Sequence, residues 1–333
     1  LTMTGIQILH GEIPPSCAGM RLDQALAQLF DEYSRSRLSQ WLKAGQVRVN
    51  GQQLRGRDKV WGGEQVEIHA ELEEQTDWQA EAISLEIVYE DEQLLVINKP
   101  AGLVVHPAAG NLTGTLVNAL LHHDASLSTV PRAGIVHRLD KDTSGLLVVA
   151  KTLTAQKSLV EQLQARSILR EYQAVVTGVM TAGGTVDAPI GRHPVHRKRM
   201  AVVPNGKSAV THYRVVERFR AHSWIRCRLE TGRTHQIRVH MAHIHHPLVG
   251  DPVYGGRLRL PPGCDTSLAE TLRNFQRQAL HAGRLGLVHP ASGKTLEWKA
   301  ALPADMESLL AGLRTDAEAS VLDEETAWWD EPK

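Results

Sequence analysis

Near the N-terminus, the order of apolar and polar residues predicts a small unit of two helices and several strands. Apolar residues recur at helical spacing over residues 21–30, which indicates an amphipathic helix. Ser34 is a suitable N-cap for a second helix over residues 35–43. Residues 46–51 alternate and end in an Asn-Gly turn, which is typical of a strand entering a hairpin. Residues 60–68 predict a closing strand pair.

The pattern farther along the chain predicts a larger unit of strands with flanking helices. Two short apolar runs separated by residues 90–93 predict a hairpin, and Pro100 and Gly102 fix the loop that follows it. Residues 190–207 predict a basic loop region, and Gly232 predicts a turn into a helical segment. Further strands are predicted at 170–176, 209–219, 223–229, 280–287 and 296–300, and helices at 115–122, 154–165 and 304–313.

The stretch from Gly134 to Lys151 places a charge-dense loop between two apolar segments. Leu146–Ala150 reads as a buried strand, and Gly145 marks the turn into it. Asp140 is therefore held by rigid elements and flanked by cations, which suits a carboxylate that stays ionised and reaches a substrate. By itself, this loop is equally compatible with a charged surface turn.

Length and cysteine content narrow the class of protein. A chain of 333 residues predicts two or more domains, and no apolar run is long enough to span a bilayer. The N-terminus shows no basic region followed by an apolar core, so we expect no signal peptide. The three cysteines are far apart, which predicts no disulfide framework and fits a reducing cytoplasm.

Charge is segregated along a chain whose formal net charge is zero. Residues 64–92 hold eleven acidic residues and no Lys or Arg. Residues 192–240 hold twelve Lys and Arg against two acidic residues. Such blocks favour basic faces for a polyanion, although solvated faces on any enzyme would give a similar pattern.

Residues 18–70 resemble the S4 RNA-binding domain. The matching features are the Arg-Leu-Asp opening at 21–23, Ser-Arg-Ser-Arg at 34–37 and the Gly-x-Val-x-Val-Asn-Gly stretch at 45–51. A compact basic face binds phosphates through counterion release, without sequence specificity. The resemblance implies that the contacts to RNA phosphates are Arg35, Arg37, Lys43 and Arg48.

The remainder resembles pseudouridine synthases of the large-subunit ribosomal RNA type. The motifs that carry this resemblance are Asn98-Lys99-Pro100, His137–Gly145, Arg170-Glu171-Tyr172, Gly232–Arg238 and Pro247–Asp251. The resemblance implies isomerisation of uridine to pseudouridine in 23S rRNA, at the stem-loop that bridges the ribosomal subunits. It also implies no metal or organic cofactor, a monomer, no membrane, and a substrate that is free rRNA or an assembling large subunit.

These resemblances imply an α+β chain with two domains. A small α/β S4 domain is followed by a catalytic domain built on a mixed, mainly antiparallel sheet with flanking helices and loops. The expected divisions are an N-terminal arm (1–17), the S4 domain (18–75), a linker (76–84), the catalytic domain (85–313) and an acidic, disordered tail (314–333).

The same family implies roles for individual side chains. Asp140 is the catalytic aspartate, Arg238 pairs with it, Tyr172 lies against the target uracil, and Arg138 enters the space that the uridine leaves. Further expected substrate or RNA contacts are Lys99, His137, Arg233, His235 and Gln236. The Tyr172 hydroxyl could also take the C5 proton at the end of the reaction.

The chemistry leaves two routes open. Asp140 could attack C1′ of the ribose as a nucleophile or remove the C2′ proton, and either role needs an ionised carboxylate beside a positioning guanidinium. A non-catalytic RNA-binding factor and a sister synthase with another RNA site remain as rivals. The histidines at 235–246 lack a zinc-site spacing, and Asp140–Thr143 lacks the apolar strand that a phosphatase loop requires.

Overall fold

The computed structural model describes residues 6–30, 33, 35–71, 78–107, 112–196 and 199–329. The predicted N-cap Ser34 and the first two residues of the predicted linker, 76 and 77, lie outside these residues. The strands are β1 (Ile6–Glu12), β2 (Val47–Val49), β3 (Gln65–Glu71), β4 (Ile87–Glu90), β5 (Leu94–Lys99), β6 (Ser144–Ala150), β7 (Leu169–Thr177), β8 (Gly184–Asp187), β9 (Ile190–Arg192), β10 (Met200–Val202), β11 (Val210–Arg218), β12 (His222–Leu229), β13 (Leu280–Val288) and β14 (Thr295–Lys299). The helices are α1 (Leu22–Leu29), α2 (Arg35–Lys43), α3 (Leu116–His123), α4 (Leu153–Gln164), α5 (Gln236–His243), α6 (Thr266–Asn274) and α7 (Ala304–Trp329).

The N-terminal unit is an antiparallel sheet in the order β1-β3-β2, covered by α1 and α2. The apolar positions that predicted the helices, among them Leu22, Leu26 and Trp41, are buried in its core. The predicted N-terminal arm supplies β1, which pairs with β3. The closing pair expected over 60–68 is a single strand, β3, which pairs on both of its edges.

The larger sheet has nine strands in the order β4-β5-β6-β13-β7-β12-β11-β8, with β14 added beside β13. Among the described strands, β6 and β13 pair in parallel and the other ladders are antiparallel, so the expected mixed, mainly antiparallel α+β fold is confirmed. Strand β6 is buried on both faces. Leu147 and Val149 join one core cluster, whereas Leu146 and Val148 join another, which explains the unbroken apolar run in the sequence.

Several regions differ from the predicted elements, among them strand β8, which was not predicted. The basic loop expected at 190–207 contains the two-stranded hairpin β9–β10. Helix α6 was not predicted, although Asp265 caps it by accepting a hydrogen bond from the Leu268 N–H at 2.6 Å. Its short apolar stripe, which includes Leu268 and Leu272, packs against α7.

The tail expected to be disordered from residue 314 is helical as far as Trp329, so that prediction is wrong over this range. The first turn past residue 313 is held by ion pairs to the sheet. Arg314 pairs with Glu217 at 2.7 Å, and Asp316 accepts a hydrogen bond from Arg220 at 3.0 Å. Acidic composition predicted solvation, but it does not reveal ion pairs with specific distant residues. Among the described residues, no helix combines the length and the apolar character needed to cross a bilayer.

The turn into β6 depends on a backbone conformation that favours glycine. Gly145 has φ +114° and pairs with Ala282 of β13, and a Cβ at this position would overlap the Ala282 carbonyl oxygen. The central parallel pair therefore approaches closely because residue 145 has no side chain. This approach fixes the position of the loop that carries Asp140.

We expect Gly145→Ala to destabilise the catalytic domain by at least about 3 kcal/mol, because it adds a steric clash to an unfavourable φ. Gly293→Ala is the matched control, since Gly293 has φ +67° but open space where the Cβ would stand. The control should cost only about 1 kcal/mol. Urea unfolding followed by circular dichroism measures both, and equal losses would refute the role of close strand approach.

Candidate active site

A cavity of about 920 Å³ opens where the loop before β6 meets β7 and the start of α5. Its lining comes mainly from residues 135–140, from Arg170 and Tyr172 of β7, and from residues 229–238. Three of the motifs identified in the sequence therefore meet at one place. The fold brings Asp140, Tyr172 and Arg238 together, as the sequence predicted.

Asp140 turns its carboxylate toward α5. Its Oδ2 accepts a hydrogen bond from Nη1 of Arg238 at 3.0 Å, and its Oδ1 lies 3.8 Å from Nε2 of His235. The backbone carbonyl of Asp140 accepts from the Thr143 N–H at 3.1 Å, which closes the turn into β6. The side chain is 14% exposed, so the carboxylate is sheltered yet open to the cavity.

Arg238 is the centre of a buried ion-pair network. Its Nε and Nη2 donate to the two carboxylate oxygens of Asp251 at 2.7 and 2.9 Å, which leaves Nη1 for Asp140. Burial acts to lower the pKa of Arg238, but the two carboxylates outweigh it and hold that pKa above its ordinary value. The guanidinium is therefore a permanent cation with a fixed orientation.

Asp251 belongs to a motif of the sequence, but the sequence assigned it no individual role. Its side chain is fully buried, and its Oδ1 also accepts from the backbone N–H groups of Val253 and Tyr254 at 2.8 and 3.0 Å. Burial acts to raise the pKa of Asp251, but Arg238 and the backbone donors lower it below its ordinary value. Asp251 thus remains ionised and anchors Arg238.

His235 lies beside Asp140, and Tyr254 in turn lies beside His235. His235 has φ +57° just ahead of α5, which turns its ring toward Asp140. Its Nδ1 is 2.8 Å from the Tyr254 hydroxyl, and that hydroxyl accepts from the Met200 N–H of β10 at 2.9 Å. Burial lowers the pKa of His235, against the attraction of Asp140, so the ring favours its neutral form. The Arg238 guanidinium lies 5.1 Å from the Tyr254 ring centroid.

Tyr172 and Arg170 lie on the same face of β7, because side chains two residues apart in a strand point to one side. Both side chains are buried and both residues line the cavity. Burial raises the pKa of the Tyr172 hydroxyl, and the charge of Asp140 adds to this rise while Arg170 opposes it. Tyr172 is therefore a phenol near neutral pH, which argues against the expectation that it takes the C5 proton as a free base.

Lys99 does not reach the cavity as an RNA contact, contrary to the sequence prediction. Its side chain is only 1% exposed, and its Nζ donates to the carbonyls of Pro100, Leu103 and Lys141 at 2.8–2.9 Å. All three ammonium protons are used, so Lys99 ties the loop after β5 to the loop that carries Asp140. Burial lowers the pKa of Lys99 to about 8.

Gln236 does not make its expected contact with RNA, whereas His137 is held to β6 through one of its two ring nitrogens. Gln236 is buried, accepts from Thr231 Oγ1 and the Arg233 N–H, and donates to the Val210 carbonyl and Thr211 Oγ1. Its amide is therefore saturated within the protein. His137 accepts the Val148 N–H on Nε2 at 3.1 Å, and burial lowers its pKa to about 3. His137 is neutral, its Nε2 faces β6, and the residue also lines the cavity.

The mouth of the cavity carries exposed cations. Arg138 and Arg233 are exposed as predicted, and Arg132, which sequence reasoning missed, joins them with φ +57°. Arg233 also donates from Nε to the Ser208 carbonyl at 3.1 Å. The cavity thus presents positive charge to solvent, with the carboxylate of Asp140 farther inside.

In the N-terminal unit, Arg35, Lys43 and Arg48 are exposed, which fits their expected contact with RNA. Arg37 does not fit that expectation because its side chain is buried. Its guanidinium lies 5.6 Å from the Trp41 ring centroid and donates from Nη2 to the Thr129 carbonyl of the larger unit at 3.3 Å. Arg37 therefore joins the two units.

The described residues contain no group of three or more His, Cys, Asp or Glu side chains arranged to hold a metal. The histidines crowded after residue 234 have other partners. His240 is buried against Thr211 Oγ1 and the Ala188 carbonyl, and His246 Nδ1 lies 3.0 Å from the Thr177 carbonyl. These histidines pack the helix onto the sheet.

This fold and site match known proteins in both parts of the chain. A family model described as RNA pseudouridylate synthase matches residues 93–243, and an S4 domain model matches residues 20–66. Together with the relatives below, these matches show that the chain belongs to the pseudouridine synthase family and is an isomerase with an N-terminal S4 domain. The resemblance drawn from the sequence motifs is confirmed.

Three similar relatives are each called ribosomal large subunit pseudouridine synthase D, the type that the sequence motifs favour within the family. The protein of Pseudomonas aeruginosa is 63% identical over 93% of this chain and 97% of its own length. The protein of Escherichia coli K12 is 61% identical over 90% of this chain and 92% of its own. The protein of Xanthomonas campestris is 57% identical over 92% of each.

Solved structures support the same fold. Human RNA pseudouridylate synthase domain containing 4 is 28% identical with a TM-score of 0.52, over 69% of this chain and 93% of its own. Human RNA pseudouridylate synthase domain containing 1 is 25% identical with a TM-score of 0.52, over 71% of this chain and 96% of its own.

We expect the burial of Lys99 to make stability depend on pH. Its folded pKa of about 8 lies below the ordinary 10.5, so between these values the unfolded chain binds more protons and stability rises with pH. Relative to Lys99→Met, the wild type should gain up to about 3 kcal/mol from pH 8 to 10.5. Urea unfolding across this range measures the difference.

The control for this pH dependence is Lys141→Met, whose exposed side chain belongs to the same loop. The control should follow the wild-type pH profile. Parallel profiles for the wild type and Lys99→Met would show that the buried ammonium has an ordinary pKa.

Proposed function

We propose that this enzyme isomerises uridine to pseudouridine in 23S rRNA, at the stem-loop that bridges the ribosomal subunits. The observation that carries the proposal is the carboxylate of Asp140, paired with Arg238 inside a cavity whose mouth is cationic. The names of the relatives, which specify the ribosomal large subunit, support this choice of RNA. A substrate of this kind places the enzyme in the cytoplasm, where its three free cysteines stay reduced.

The target uridine must leave its stack before Asp140 can reach the ribose. Extruding a nucleotide costs a few kcal/mol, which contacts made in the flipped state must offset. In our proposal, the ribose meets Asp140, the uracil packs against the ring of Tyr172, and Arg138 fills the space left in the RNA. Arg138 and Arg233 are exposed, which suits contact with the RNA outside the cavity. Tyr172 is buried, which suits contact with the flipped uracil.

Asp140 acts on the ribose as an ionised group. It either attacks C1′ as the N1–C1′ bond breaks or removes the C2′ proton, and both routes use the same carboxylate. Arg238 holds one carboxylate oxygen of Asp140 by a hydrogen bond, which leaves the other oxygen for the ribose. His235, neutral and 3.8 Å from that free oxygen, contributes orientation and does not compete for the proton.

The N-terminal S4 domain supplies affinity in this proposal. Its exposed cations Arg35, Lys43 and Arg48 neutralise backbone phosphates, while the cavity selects the uridine. Arg37 holds the S4 domain against the catalytic domain. RNA bound to the S4 domain is thereby kept near the cavity.

Asp140→Asn should lower turnover roughly 10³-fold or more and leave RNA affinity nearly unchanged, since it removes the charge and preserves the shape. Tritium release from rRNA labelled at C5 of uridine measures turnover. Mapping of pseudouridines in rRNA from cells that carry only this variant should show the bridge stem-loop unmodified. Asp142→Asn is the control, because it changes a carboxylate of the same loop.

Near-normal tritium release by Asp140→Asn would refute the role of Asp140. Cells with an active enzyme that lack pseudouridine in the bridge stem-loop but carry it at another RNA site would refute the proposed target.

Replacing Arg35, Lys43 and Arg48 together by Gln should weaken RNA binding and flatten its salt dependence. Each lost phosphate contact lowers the slope of log affinity against log salt by about 0.7–0.9. Turnover at saturating RNA should persist. A matched variant with Gln at Arg284, Lys294 and Lys299, on β13, β14 and their connection, should retain the wild-type slope. Equal slopes for the two variants would contradict an S4 contact.

A further inference from the structure

Arg170 is a buried cation without an anionic partner. Its side chain is 7% exposed, and none of the ion pairs among the described residues includes it. Nη2 donates to the backbone carbonyl of Glu230 at 3.3 Å, and Nε is buried without a hydrogen-bond acceptor. The Glu230 carboxylate is engaged elsewhere, with Arg166 at 2.6 Å and His212 at 2.7 Å.

A second unsatisfied donor lies near Arg170. Because Nε2 of His137 accepts the Val148 N–H, the neutral ring carries its proton on Nδ1, and this atom is buried without a partner. The charge of Arg170 adds to burial in lowering the pKa of His137. Both residues line the cavity.

An arrangement of this kind is costly for a protein to keep. Burying an uncompensated charge destabilises the folded protein strongly, and each unsatisfied buried donor adds to this cost. The neighbouring Arg238 shows the usual solution, with two carboxylates around one guanidinium. Unpaired donors that line a reaction cavity are therefore best explained by a ligand that supplies acceptors and negative charge.

The position of Arg170 relative to Asp140 indicates which part of the substrate it meets. Residues 230–238 run along the cavity wall, with Glu230 and Gly232 beside Arg170, and His235 and Arg238 beside Asp140. Tyr172 is near enough to both Arg170 and Asp140 for their charges to act on its hydroxyl. With the ribose at Asp140 and the uracil at Tyr172, Arg170 lies at the base.

The reaction places negative charge on that base. When the N1–C1′ bond breaks, both of its electrons stay on the uracil, and the charge spreads over N1 and the carbonyl oxygens. C5 then supplies an electron pair to C1′, the C5 proton leaves, and N1 gains a proton. Nothing is added or lost overall, but the detached uracil is an anion until the new bond forms.

We propose that Arg170 donates hydrogen bonds to a carbonyl oxygen of the target uracil and stabilises the negative charge that the base carries while it is detached from the ribose. The Nδ1–H of His137 is the second donor to the same base. This inference rests on the proposed placement of the uridine between Asp140 and Tyr172. A donor set that meets charge only as it develops acts on the transition state more than on the bound substrate.

Gly232 leaves the space that the guanidinium of Arg170 occupies, which is consistent with this assignment. A Cβ on Gly232 would stand 2.8 Å from Nη1 of Arg170, so any side chain at position 232 displaces the guanidinium. A phosphate is a poorer partner for Arg170, since the RNA backbone remains in water at the cavity mouth, where Arg138 and Arg233 are exposed.

The test compares Arg170→Met with the wild type on RNA that carries uridine or 4-thiouridine at the target position. Thiocarbonyl substitution makes the base more acidic, so its anion depends less on the protein. On uridine RNA, we expect kcat to fall roughly 10²-fold with little change in KM. On 4-thiouridine RNA, the loss should be about tenfold or less.

Two further variants keep the test valid if Arg170→Met folds poorly. Arg170→Lys retains a charge and should lose less kcat than Arg170→Met. Gly232→Ala retains Arg170 but displaces its guanidinium. Like Arg170→Met, it should lose less kcat on 4-thiouridine RNA than on uridine RNA. Arg284→Met, which changes a partly exposed arginine of β13, is the control and should show neither effect.

Several results would overturn the assignment. An unchanged kcat in Arg170→Met would do so. Equal losses of kcat on uridine and 4-thiouridine RNA, together with a lower melting temperature, would also do so, because they indicate a structural role. A raised KM and a flatter salt dependence with intact kcat would indicate a phosphate contact instead. Asp140→Asn in the same assays reports separately on the proposed function, because its turnover bears on Asp140 and not on Arg170.

Discussion

The site depends on one buried guanidinium that serves two carboxylates. Arg238 uses two of its nitrogens to hold Asp251 and a third to hold Asp140, a residue 98 positions away in the chain. Asp251 alone balances the charge, so Asp140 does not have to be buried to keep the network stable. This division lets one carboxylate be structural and the other face the cavity.

The loop that carries Asp140 is held in place by contacts of its backbone and not by packing of the Asp140 side chain. Lys99 fastens the backbone of that loop from one side, through the Lys141 carbonyl. Gly145 and Ala282 fix its exit into β6. Arg238 then needs only one hydrogen bond to aim the carboxylate, because the backbone that carries it is already positioned.

The sequence predicted most of the elements, because apolar periodicity in the strands and helices follows directly from burial. It failed where structure depends on partners distant in sequence. The helical tail is held by Glu217 and Arg220. Helix α6 is so short that its N-cap, Asp265, indicates the helix better than its few apolar residues do. Neither kind of contact leaves a local periodic signal.

For the candidate site, the motifs identified which stretches meet, but charge misled about individual roles. Lys99, Arg37 and Gln236 look like solvent-facing polar groups in the sequence, yet each is buried and saturated or packed inside the protein. Burial of a polar side chain depends on backbone carbonyls that approach from other loops, and these carry no side-chain signature. Asp251 was overlooked for a different reason. The sequence had already assigned Arg238 to Asp140, and it did not show that one guanidinium binds both carboxylates.

The hairpin β9–β10 was expected to be a loop, and its ordered state has a mechanical consequence. Its Met200 N–H holds the Tyr254 hydroxyl, that hydroxyl holds His235, and His235 adjoins Asp140. A displacement of the hairpin therefore reaches the carboxylate through a chain of only three contacts. The exposed cations Arg192 and Arg199 lie on this hairpin. A ligand that moved the hairpin would therefore also change the orientation of the Asp140 carboxylate.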